Sequence, residues 1–487
     1  MAGFDWHSAT ALGDVDISGL TADSRNVEPG FLFAALPGSR LDGRAFIADA
    51  VARGAVAVLA PTGTAAPDDG ARPIELLTDD NPRRRLTLLA ARFYRHQPAT
   101  VVAVTGTNGK TSVVEFARQI WARLGRKAAS LGTLGVSAPG FAAGPGLTTP
   151  DPVELHRLLA ALAEAGVEYA AIEASSHGLE QFRLDGVRLS AAAFTNLGRD
   201  HLDYHHDMNA YLGAKRRLFE HLLPADAPAV LNADAPEFEA LSGACRDAGH
   251  DVVSYGRAGT SLRLVDVTPL ADGQRLVLEV FGRTYDTRLP LVGEFQAANA
   301  LAALGLVTAC GADADPAVAA LARLTGARGR LELVAHHRDG AAVYVDYAHT
   351  PDALESVLRA LRPHVAGRLA VVFGAGGDRD AGKRPLMGAA VARLADRALV
   401  TDDNPRGEDP AAIRAEVLAA CPGAEEIGDR GKAIRAGIAG LGPDDALLIA
   451  GKGHEQGQIV GTRTLPFDDA EVARAAIAAL AAPGGER

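Results

Sequence analysis

The chain has 487 residues, 48% of them hydrophobic, which is too long for one hydrophobic core and predicts two to four domains. Its formal net charge of −11 argues against nucleic acid as a partner. The N-terminus carries no secretion signal, and charges interrupt every apolar run before membrane-spanning length, so we expect a cytoplasmic protein with no membrane partner. The three cysteines are far apart and fit neither a zinc site nor a disulfide framework, so we expect reduced thiols.

Residues 1–97 predict a small α/β domain. Two short apolar runs, 31–35 and 55–60, are typical of strands, and a helical stretch at 45–53 lies between them. The polar segments at 23–25 and 38–43 are explained by ordinary turn chemistry. A linker is expected at 96–98.

Residues 98–327 predict a second domain, which begins with a phosphate-binding loop. Residues 101–105 are apolar and β-branched, as in a buried strand, and 113–124 carry apolar residues at helical spacing. Between them lie Gly106, Thr107, Asn108, Gly109, Lys110, Thr111 and Ser112. Glycines allow backbone N–H groups to approach phosphate oxygens, and the helix N-terminus adds a positive dipole.

Lys110 of this loop can reach the β- and γ-phosphates of a nucleotide, and Thr111 or Ser112 can bind Mg²⁺. The strict motif would place a glycine where Val104 stands, so the loop is a shortened variant. A strand–helix turn that only tolerates glycine is the alternative, and Gly-Lys-Thr-Ser at a helix start argues against it. We predict nucleotide binding, with the identity of the nucleotide open.

Polar side chains follow two further strands of this domain. Residues 169–173 end on Glu173, and residues 191–196 precede His201. Ligands of open α/β sheets bind at the carboxyl ends of strands, so we expect both side chains on the edge that carries Lys110. A carboxylate and an imidazole can complete a Mg²⁺ shell, although Mg²⁺ prefers oxygen. A surface histidine is the alternative for His201, and the pattern alone predicts solvated side chains at 205–206 and at Lys215.

Residues 328–487 predict a third domain with a parallel sheet and helices on its faces. Its four apolar runs, at 343–346, 369–373, 398–401 and 447–450, each end in a polar cluster. The glycines at 374–377 do not form a dinucleotide fingerprint, because its last glycine position holds Arg379. The residues thus indicate an α/β protein of three domains and a multi-substrate enzyme that uses phosphate, and they leave the substrate open.

Six motifs occur along the chain in a specific order. They are Gly106-Thr-Asn-Gly-Lys-Thr-Ser, Glu173-Ala-Ser-Ser-His-Gly, Thr195-Asn-Leu-Gly-Arg-Asp-His-Leu-Asp-Tyr-His, Asp346-Tyr-Ala-His-Thr-Pro-Asp, Asp403-Asn-Pro-Arg and Gly451-Lys-Gly-His-Glu. Together they resemble the Mur ligases, from Asp23 to Phe467. The resemblance implies a small N-terminal α/β domain for a UDP-linked substrate (1–97), a central P-loop-type parallel-sheet domain for ATP (98–327) and a C-terminal Rossmann-like domain for an amino acid (328–487).

The activity implied by this resemblance is ATP-dependent formation of an amide bond in peptidoglycan precursor synthesis, and thereby a role in cell shape and division. The D-glutamate γ-carboxylate of UDP-N-acetylmuramoyl-L-alanyl-D-glutamate becomes an acyl phosphate, and the amine of meso-diaminopimelate displaces the phosphate. Mg²⁺ assists, and a monomer is expected.

The resemblance also assigns site residues. The uridine end matches Ser24, Ser39, Arg40 and Leu41, and the muramoyl dipeptide matches Thr148, Thr149, Ser175, Gln181 and Arg183. Adenosine and phosphate contacts match Asn299, Arg330, Asp346 and His349. The diaminopimelate site matches Arg379, Asp403, Asn404, Pro405, Arg406, Gly451 and Glu455. Catalysis and Mg²⁺ binding match Lys110, Thr111, Ser112, Glu173, His201 and Lys215.

Lys215 matches a lysine that carries a carbamate in this family, which replaces the solvated side chain predicted from the pattern. An ammonium would repel Mg²⁺, whereas a carbamate reverses the charge and supplies oxygen ligands. Two positions depart from the family: Gln296 replaces the usual asparagine on the adenine side, and Gln456-Gly457 replace the usual Asp-Tyr beside the amino-acid site.

Two alternatives have their own sequence tests. A folate polyglutamate synthetase would share the fold and the ATP edge, but the Asn404/Arg406 pair and the loop at 23–25 argue against it. A non-catalytic nucleotide-binding regulator would not need Glu173, His201 and Lys215 beside the phosphate loop.

Overall fold

The computed structural model describes residues 15–38, 41–66, 74–144, 146–198, 200 and 204–481. The chain forms two compact units, the first made of Met1–Tyr255 with Ala302–Asp313 and the second of Gly256–Leu301 with Ala314–Arg487. Within the described residues, no helix combines the length and the hydropathy required to cross a membrane. The domain boundaries at 97/98 and 327/328 stay predictions.

The first unit begins with a four-stranded parallel sheet. Its strands are β1 (Gly19–Thr21), β2 (Phe31–Ala34), β3 (Ala57–Pro61) and β4 (Glu75–Asp79), hydrogen-bonded in that order. Helices α1 (Ile47–Ala52) and α2 (Pro82–Tyr94) pack with it. Asn81 caps α2, and Pro82 occupies the first helical position, where a missing N–H costs nothing. The strands expected at 31–35 and 55–60 are confirmed.

The larger sheet of this unit carries the phosphate loop. Its strands are β5 (Thr100–Thr105), β6 (Ala128–Gly132), β7 (Gly135–Ala138), β8 (Phe141–Ala143), β9 (Tyr169–Glu173), β10 (Ala191–Phe194), β11 (Ala229–Asn232) and β12 (Val252–Gly256). Their order is β12-β11-β10-β5-β9-β6-β7-β8, parallel except for β7 and β8. Strand β5 therefore lies between β10 and β9, and the polar segments after these three strands emerge at one edge.

Helices cover this sheet because their apolar faces are buried against it. They are α3 (Lys110–Arg123), α4 (Pro152–Glu164), α5 (Ser176–Glu180), α6 (Met208–Arg217), which continues into a π-helical turn (Leu218–Leu222), and α7 (Phe238–Asp247). On α3 the predicted face is confirmed, since Phe116, Ile120 and Trp121 are at most 1% exposed. This burial fixes the start of α3, and hence Lys110, against the end of β5.

The second unit starts with an antiparallel meander that was not predicted. Strands β13 (Leu262–Leu270), β14 (Gly273–Val280) and β15 (Arg283–Leu289) pair in sequence order. Helix α8 (Glu294–Ala309) follows, with residues 302–309 assigned to the first unit, and then α9 (Ala314–Leu321).

A six-stranded sheet forms the rest of the second unit. Its strands are β16 (Glu332–His336), β17 (Ala342–Asp346), β18 (Leu369–Phe373), β19 (Arg397–Val400), β20 (Glu425–Glu426) and β21 (Ala446–Ala450). Their order is β16-β17-β21-β18-β19-β20, and β16 alone among them runs antiparallel to its neighbour. The helices are α10 (Pro351–Leu361), α11 (Lys383–Leu394), α12 (Pro410–Leu418), α13 (Arg430–Ala439) and α14 (Asp469–Ala481), and a hairpin of β22 (Gly457–Val460) and β23 (Arg463–Pro466) precedes α14.

The four strands predicted for this domain are therefore confirmed, and they bring four polar clusters to one sheet edge. All three cysteines are free, with Cys245 and Cys421 buried and Cys310 half-buried. Burial raises the pKa of each thiol, so these side chains are packing residues with little thiolate character.

Candidate active site

The loop between β5 and α3 closes around the side chain of Lys110. Its Nζ donates hydrogen bonds to the carbonyl oxygens of Gly106 and Thr107, both at 2.8 Å. Gly109 has a φ of 88°, a left-handed conformation that favours glycine. A Cβ at Gly106 would lie 1.9 Å from the Thr195 hydroxyl oxygen, so a larger residue would push the loop off β10. The geometry is that of a phosphate cradle with its lysine in place.

The end of β10 holds the loop from the other side. The Asn196 carbonyl accepts from the Thr107 N–H at 2.8 Å, and its Oδ1 accepts from the Asn108 N–H at 3.0 Å. The Thr195 hydroxyl donates to the Asn108 carbonyl at 2.6 Å, and the Tyr211 hydroxyl lies 3.1 Å from that of Thr107. The sequence reading gave Thr195, Asn196 and Tyr211 no role, although the strand end before His201 was a signal.

Glu173 lies at the end of β9, beside the start of α3, and is 1% exposed. The Thr111 hydroxyl donates to its Oε2 at 3.0 Å, and the Thr133 N–H donates to its Oε1 at 2.8 Å. Gly132 leaves room for this carboxylate, because a Cβ there would lie 2.0 Å from Oε1. The Thr133 hydroxyl, 3.1 Å from that of Thr148, extends the cluster. The structure thus brings Glu173 and Thr111 together, and it adds Thr133, which the sequence reading missed.

His201 lies outside the described residues, as do Ser39 and Arg40. Ser112 is buried at the start of α3, one residue after Thr111. Among the residues that the structure does describe, no group of three histidine, cysteine, aspartate or glutamate side chains could hold a metal ion.

The residues matched to the muramoyl dipeptide form one hydrogen-bonded chain with Glu173. The Thr149 hydroxyl donates to the Glu173 carbonyl at 2.7 Å and lies 3.0 Å from the Ser175 hydroxyl. Arg183 donates to the Thr149 carbonyl and to Gln181 Oε1, both at 2.7 Å. Burial lowers the pKa of Arg183, although the guanidinium stays charged. This chain connects the phosphate edge to the side chains of Gln181 and Arg183.

A cavity of about 430 Å³ opens at Gln181 and Arg183, between the small sheet and the larger one. It is lined by Thr21, Ala22, Asp23, Asn26, Leu36, Arg83, Leu86, Asp151, Pro152, Gln181 and Arg183. Ser24 is buried beside this lining, and Leu41 is 67% exposed. The loop at 23–25, explained from the pattern as a turn, is thus both a capped turn and a cavity wall. Arg83 and Asp151 were not predicted.

Lys215 on α6 is 1% exposed, so the solvated side chain expected from the pattern is wrong. Its Nζ lies 4.2 Å from the centre of the Tyr211 ring. Burial and the positive charge of Lys110 lower the pKa of Lys215 to about 6, against an opposing effect of Asp200. The side chain is therefore a neutral amine at pH 7, which makes it a nucleophile.

The solvated loop expected at residues 205–206 is wrong for His205 and confirmed for His206, which is exposed. His205 is 2% exposed, and its Nδ1 lies 3.0 Å from Glu180 Oε2. Its ring is 5.1 Å from that of Tyr211. Helices α5 and α6 enclose it, a tertiary arrangement that the local sequence does not show.

A buried carboxylate that the sequence reading missed ties α6 to α2. Asp185 is 2% exposed, and its Oδ1 accepts from Arg84 Nε and Arg217 Nη2, both at 2.8 Å. The Arg217 guanidinium carbon lies 4.4 Å from the centre of the Phe182 ring. Since Arg217 is two residues after Lys215, this network fixes the end of α6 that carries the buried lysine.

In the second unit, Asp346 ends β17 and receives the backbone N–H groups of Leu331 at 2.6 Å and Ala348 at 2.7 Å. Burial raises the pKa of its carboxyl group, an effect that the nearby Arg330 opposes. The Arg330 guanidinium carbon lies 4.6 Å from the centre of the Tyr347 ring. Arg330 and Asp346, both matched to adenosine and phosphate contacts, therefore lie close together.

The other two residues matched to adenosine and phosphate contacts are Asn299, which lies on α8, and His349, which follows β17. Asn299 donates to Gln296 Oε1 at 3.0 Å, and Gln296 Nε2 donates to the Arg330 carbonyl at 3.1 Å. Gln296, which departs from the family, is thus buried and orients Asn299. The His349 Nδ1–H donates to the Tyr347 carbonyl at 2.8 Å, and burial lowers the pKa of the His349 imidazole.

The residues matched to diaminopimelate lie around Lys452, a buried lysine to which the sequence analysis assigned no function. Lys452 is 0% exposed, and its Nζ donates to Asn404 Oδ1 at 2.9 Å and to Glu455 Oε2 at 3.1 Å. Asn404 Nδ2 also donates to Glu455 Oε2, at 3.0 Å. Pro405 is buried beside them. The Asn404 amide is therefore engaged within the protein on both its oxygen and its nitrogen.

Arg406 follows in the same loop with a φ of 51° and a half-buried side chain. Its Nη1 donates to the Gly377 carbonyl at 2.8 Å. Arg379 is exposed after the neighbouring strand β18. Gly451, with a φ of 119°, approaches Asp403 so closely that a Cβ would lie 2.6 Å from its Oδ2. The structure thus places all the residues matched to diaminopimelate at one edge of the six-stranded sheet of the second unit.

Three family models match successive parts of the chain. The model of the Mur ligase family catalytic domain matches residues 16–94, that of the Mur ligase middle domain matches 104–307, and that of the Mur ligase glutamate ligase domain matches 329–453. Together they leave out only short segments between 16 and 453.

Curated relatives and solved structures match nearly the full length. The UDP-N-acetylmuramoyl-L-alanyl-D-glutamate–2,6-diaminopimelate ligase of Rhizobium meliloti (strain 1021) is 55% identical over 97% of both chains. The enzyme of the same name from Caulobacter vibrioides (strain ATCC 19089 / CIP 103742 / CB 15) is 56% identical over 94% of both. A solved structure of a ligase of that name aligns with a TM-score of 0.73 at 34% identity, covering 96% of each chain.

Proposed function

The chain belongs to the Mur ligase family, and on that premise we propose that it joins meso-diaminopimelate to UDP-N-acetylmuramoyl-L-alanyl-D-glutamate in peptidoglycan precursor synthesis. ATP is cleaved to ADP and phosphate in the reaction. The observation that carries the proposal is the 55% identity, over 97% of both chains, to a relative named for this activity. The chain itself has the three-domain α/β architecture of the Mur ligase family.

In the first half-reaction the γ-phosphoryl group of ATP passes to the D-glutamate γ-carboxylate and gives an acyl phosphate. The loop at 106–112 supplies N–H donors for the phosphates, and Lys110 supplies the cation, held by two carbonyls of that loop. Little covalent chemistry falls to the protein, so its contribution is positioning and charge neutralisation.

The oxygen atoms of Thr111 and Glu173 fit Mg²⁺. One carboxylate and one hydroxyl, 3.0 Å apart beside the phosphate loop, are the donors that this ion takes in addition to phosphate oxygens and water. Ser112 and His201 are the other candidates from the sequence. When bound, Mg²⁺ would neutralise charge on the phosphates, while Thr133 and Gly132 keep the Glu173 carboxylate turned toward Thr111.

Lys215 carries a carbamate in the proposed active enzyme. Its neutral amine adds to carbon dioxide, forming an N–C bond and releasing one proton from the nitrogen. The resulting negative charge would be favoured by Lys110, the same positive charge that disfavours an ammonium at Lys215. A buried neutral amine thereby becomes a buried, negatively charged oxygen donor at the phosphate site.

In the second half-reaction the diaminopimelate amine attacks the acyl carbon, and the tetrahedral intermediate collapses with loss of phosphate. Arg406, Asn404 and Glu455 are the proposed binding residues for the amino acid, and Asn299, Arg330, Asp346 and His349 for adenosine and phosphate. Ser24, Thr148, Thr149, Ser175, Gln181 and Arg183 are the proposed residues for the UDP-linked dipeptide. We place the reaction in the cytoplasm, where ATP is available, and expect the enzyme to act as a monomer. Its three domains are expected to meet at 97/98 and at 327/328.

The test is phosphate release from ATP with UDP-muramoyl dipeptide in the presence of diaminopimelate, of lysine, or of neither. Rapid release with diaminopimelate alone, together with a tripeptide product by mass spectrometry, is expected. Equal release in all three reactions would contradict the proposal, and no release in any of them would favour a non-catalytic regulator. Glutamate-dependent release with a reduced folate would favour the folate ligase.

A further inference from the structure

The hairpin of β22 and β23 is built against the loop that carries Asn404 and Arg406. The Ile459 N–H donates to Asn404 Oδ1 at 2.9 Å, and the Ile459 carbonyl accepts the Arg406 N–H at 3.0 Å. The Gly461 N–H then donates to the Arg406 carbonyl at 2.7 Å, and Gln458 Nε2 donates to the Asp403 carbonyl at 2.8 Å. Three residues of the loop and three of the hairpin are thus bonded to each other around a short parallel bridge between Arg406 and Val460.

These bonds use backbone groups that the hairpin itself does not need. Val460 pairs with Arg463 next to a two-residue turn, and Ile459 pairs with Thr464. In an antiparallel ladder, hydrogen-bonded and non-hydrogen-bonded pairs alternate, so Ile459 and Thr464 are the non-hydrogen-bonded pair. The N–H and C=O groups of Ile459 therefore point away from β23, toward Asn404 and Arg406.

Arg406 needs such a support because its backbone conformation is unfavourable. Its φ of 51° lies in the left-handed region, which a side chain with a Cβ rarely adopts unless the surroundings determine it. Both of its backbone hydrogen-bonding groups are taken by the hairpin. Among the described residues its guanidinium bonds through Nη1 to Gly377, so Nε and Nη2 can still pair with a carboxylate.

Asn404 is the second point of attachment. Its Oδ1 accepts from both Ile459 and Lys452, and its Nδ2 donates to Glu455. Because Nδ2 carries a second N–H, this amide joins the loop, the hairpin and the Lys452–Glu455 pair and can still donate to the amino acid.

We propose that the hairpin 457–466 is the specificity-determining support of the amino-acid site, and that Ile459 is its main positioning residue. Through backbone bonds it holds Arg406 in the conformation that presents Nε and Nη2 to the second carboxylate of diaminopimelate. This inference rests on the proposed function. It also gives a role to the segment that begins with Gln456-Gly457, where the chain departs from the family.

Ile459→Pro is the decisive variant, because proline removes the N–H that binds Asn404 without removing a ladder hydrogen bond between β22 and β23. Thr464→Pro is its matched control, since it places the same residue at the opposite, exposed position of the same pair. Steady-state KM values for diaminopimelate, ATP and UDP-muramoyl dipeptide are measured for both variants. We expect the diaminopimelate KM to rise at least tenfold in Ile459→Pro, with the other two KM values within twofold, and all three to stay within twofold in Thr464→Pro.

A second measurement follows the hydrogen bonds between the hairpin and the Arg406 loop without using activity. Hydrogen exchange of the Arg406 amide should be slow in the wild type, because this N–H is bonded to the Ile459 carbonyl. In Ile459→Pro it should be at least tenfold faster, because loss of the Ile459–Asn404 bond lets the hairpin open away from the loop. If the proline variant does not fold, Gln458→Ala takes its place, with a threefold or larger rise in the diaminopimelate KM expected.

The outcomes separate the two claims. A wild type that does not use diaminopimelate would overturn the proposed function. The role of the hairpin alone would be overturned if the wild type prefers diaminopimelate over lysine and Ile459→Pro or Gln458→Ala keeps that preference. The hydrogen exchange rate of the Arg406 amide would then also be unchanged in the variant.

Discussion

The hydroxyl of Thr111 donates a hydrogen bond to the carboxylate of Glu173 across 3.0 Å, and it joins the start of α3 to the end of β9. Because β9 pairs directly with β5, the strand before the phosphate loop, the sheet itself sets this distance. A carboxylate so placed is expected to act through its charge.

We therefore expect Glu173→Gln to keep the fold and lower kcat by roughly 10²-fold, the usual effect of losing one electrostatic group at a transition state. The glutamine oxygen can still accept from the Thr133 N–H, and its NH₂ group can donate to the Thr111 hydroxyl, so the shape is kept while the charge is removed. Initial rates at several Mg²⁺ concentrations measure the effect, and the Mg²⁺ requirement should rise. Glu168→Gln, at an exposed position, is the control. A Glu173→Gln variant with wild-type kcat would show that the carboxylate charge is not needed.

The carbamate at Lys215 predicts chemical rescue. Lys215→Ala should lose activity because an oxygen donor is lost, and acetate or formate should restore part of it by occupying the vacated space. Activity is measured as phosphate release over a range of added carboxylate, with chloride at equal ionic strength as the control. If Lys215→Arg retained full activity, a positive charge would suffice and the carbamate would be refuted.

Burial of Lys215 also predicts a pH-dependent stability. At pH 7 the unfolded lysine, with an ordinary pKa of 10.5, holds a proton that the folded one, with a pKa of about 6, has lost. Unfolding therefore takes up a proton between about pH 6 and 10.5, and raising the pH over this range stabilises the wild type.

Lys215→Met removes that proton uptake and should stabilise the enzyme in CO₂-free buffer by about 1–3 kcal/mol at pH 7. The gain should shrink as the pH approaches 10. Thermal unfolding of both proteins at pH 7, 8.5 and 10 gives the comparison, with Lys127→Met at an exposed position as the control. A gap that stays constant with pH would contradict the lowered pKa.

Arg406 predicts selection between diaminopimelate and lysine, which lacks the second carboxylate. A pocket built to pair that carboxylate leaves its arginine unpaired when lysine binds. We expect strong preference for diaminopimelate in the wild type. Arg406→Ala should raise the diaminopimelate KM by roughly 10- to 10²-fold, the value of a hydrogen bond to a charged group. The ATP KM should change little, and Arg393→Ala, an exposed arginine on α11, should change neither. Comparable use of lysine by the wild type would exclude this role.

Asp185 predicts a large effect on stability. Two arginines bind one oxygen of this buried carboxylate, so Asp185→Asn leaves both without their counter-charge. Breaking such a buried pair typically costs about 3 kcal/mol or more of unfolding free energy. Asp49→Asn, whose partner Arg53 forms an exposed ion pair, should cost less than about 1 kcal/mol. Urea unfolding at pH 7 measures both, and equal costs would show that burial does not strengthen the Asp185 network.

The sequence by itself determined the elements that depend on neighbouring residues. The run at 101–105, the glycine-rich loop and the apolar face of α3 are local patterns, and each strand end that carries Glu173, Asp346 or Asn404 could be read from one short segment. Hydrophobic periodicity and turn chemistry act within a few residues, so this much of the fold and of the candidate site could be predicted.

Only the tertiary structure decided which side chains meet. Thr133 reaches Glu173 over 40 positions, and Ile459 reaches Asn404 over 55. Lys215 looked solvated because its own helix has a polar sequence, yet it is buried by what packs around it. Contacts of this kind depend on strand order and on how elements pack, and burial changes the pKa and the role of a residue whose sequence neighbours stay the same.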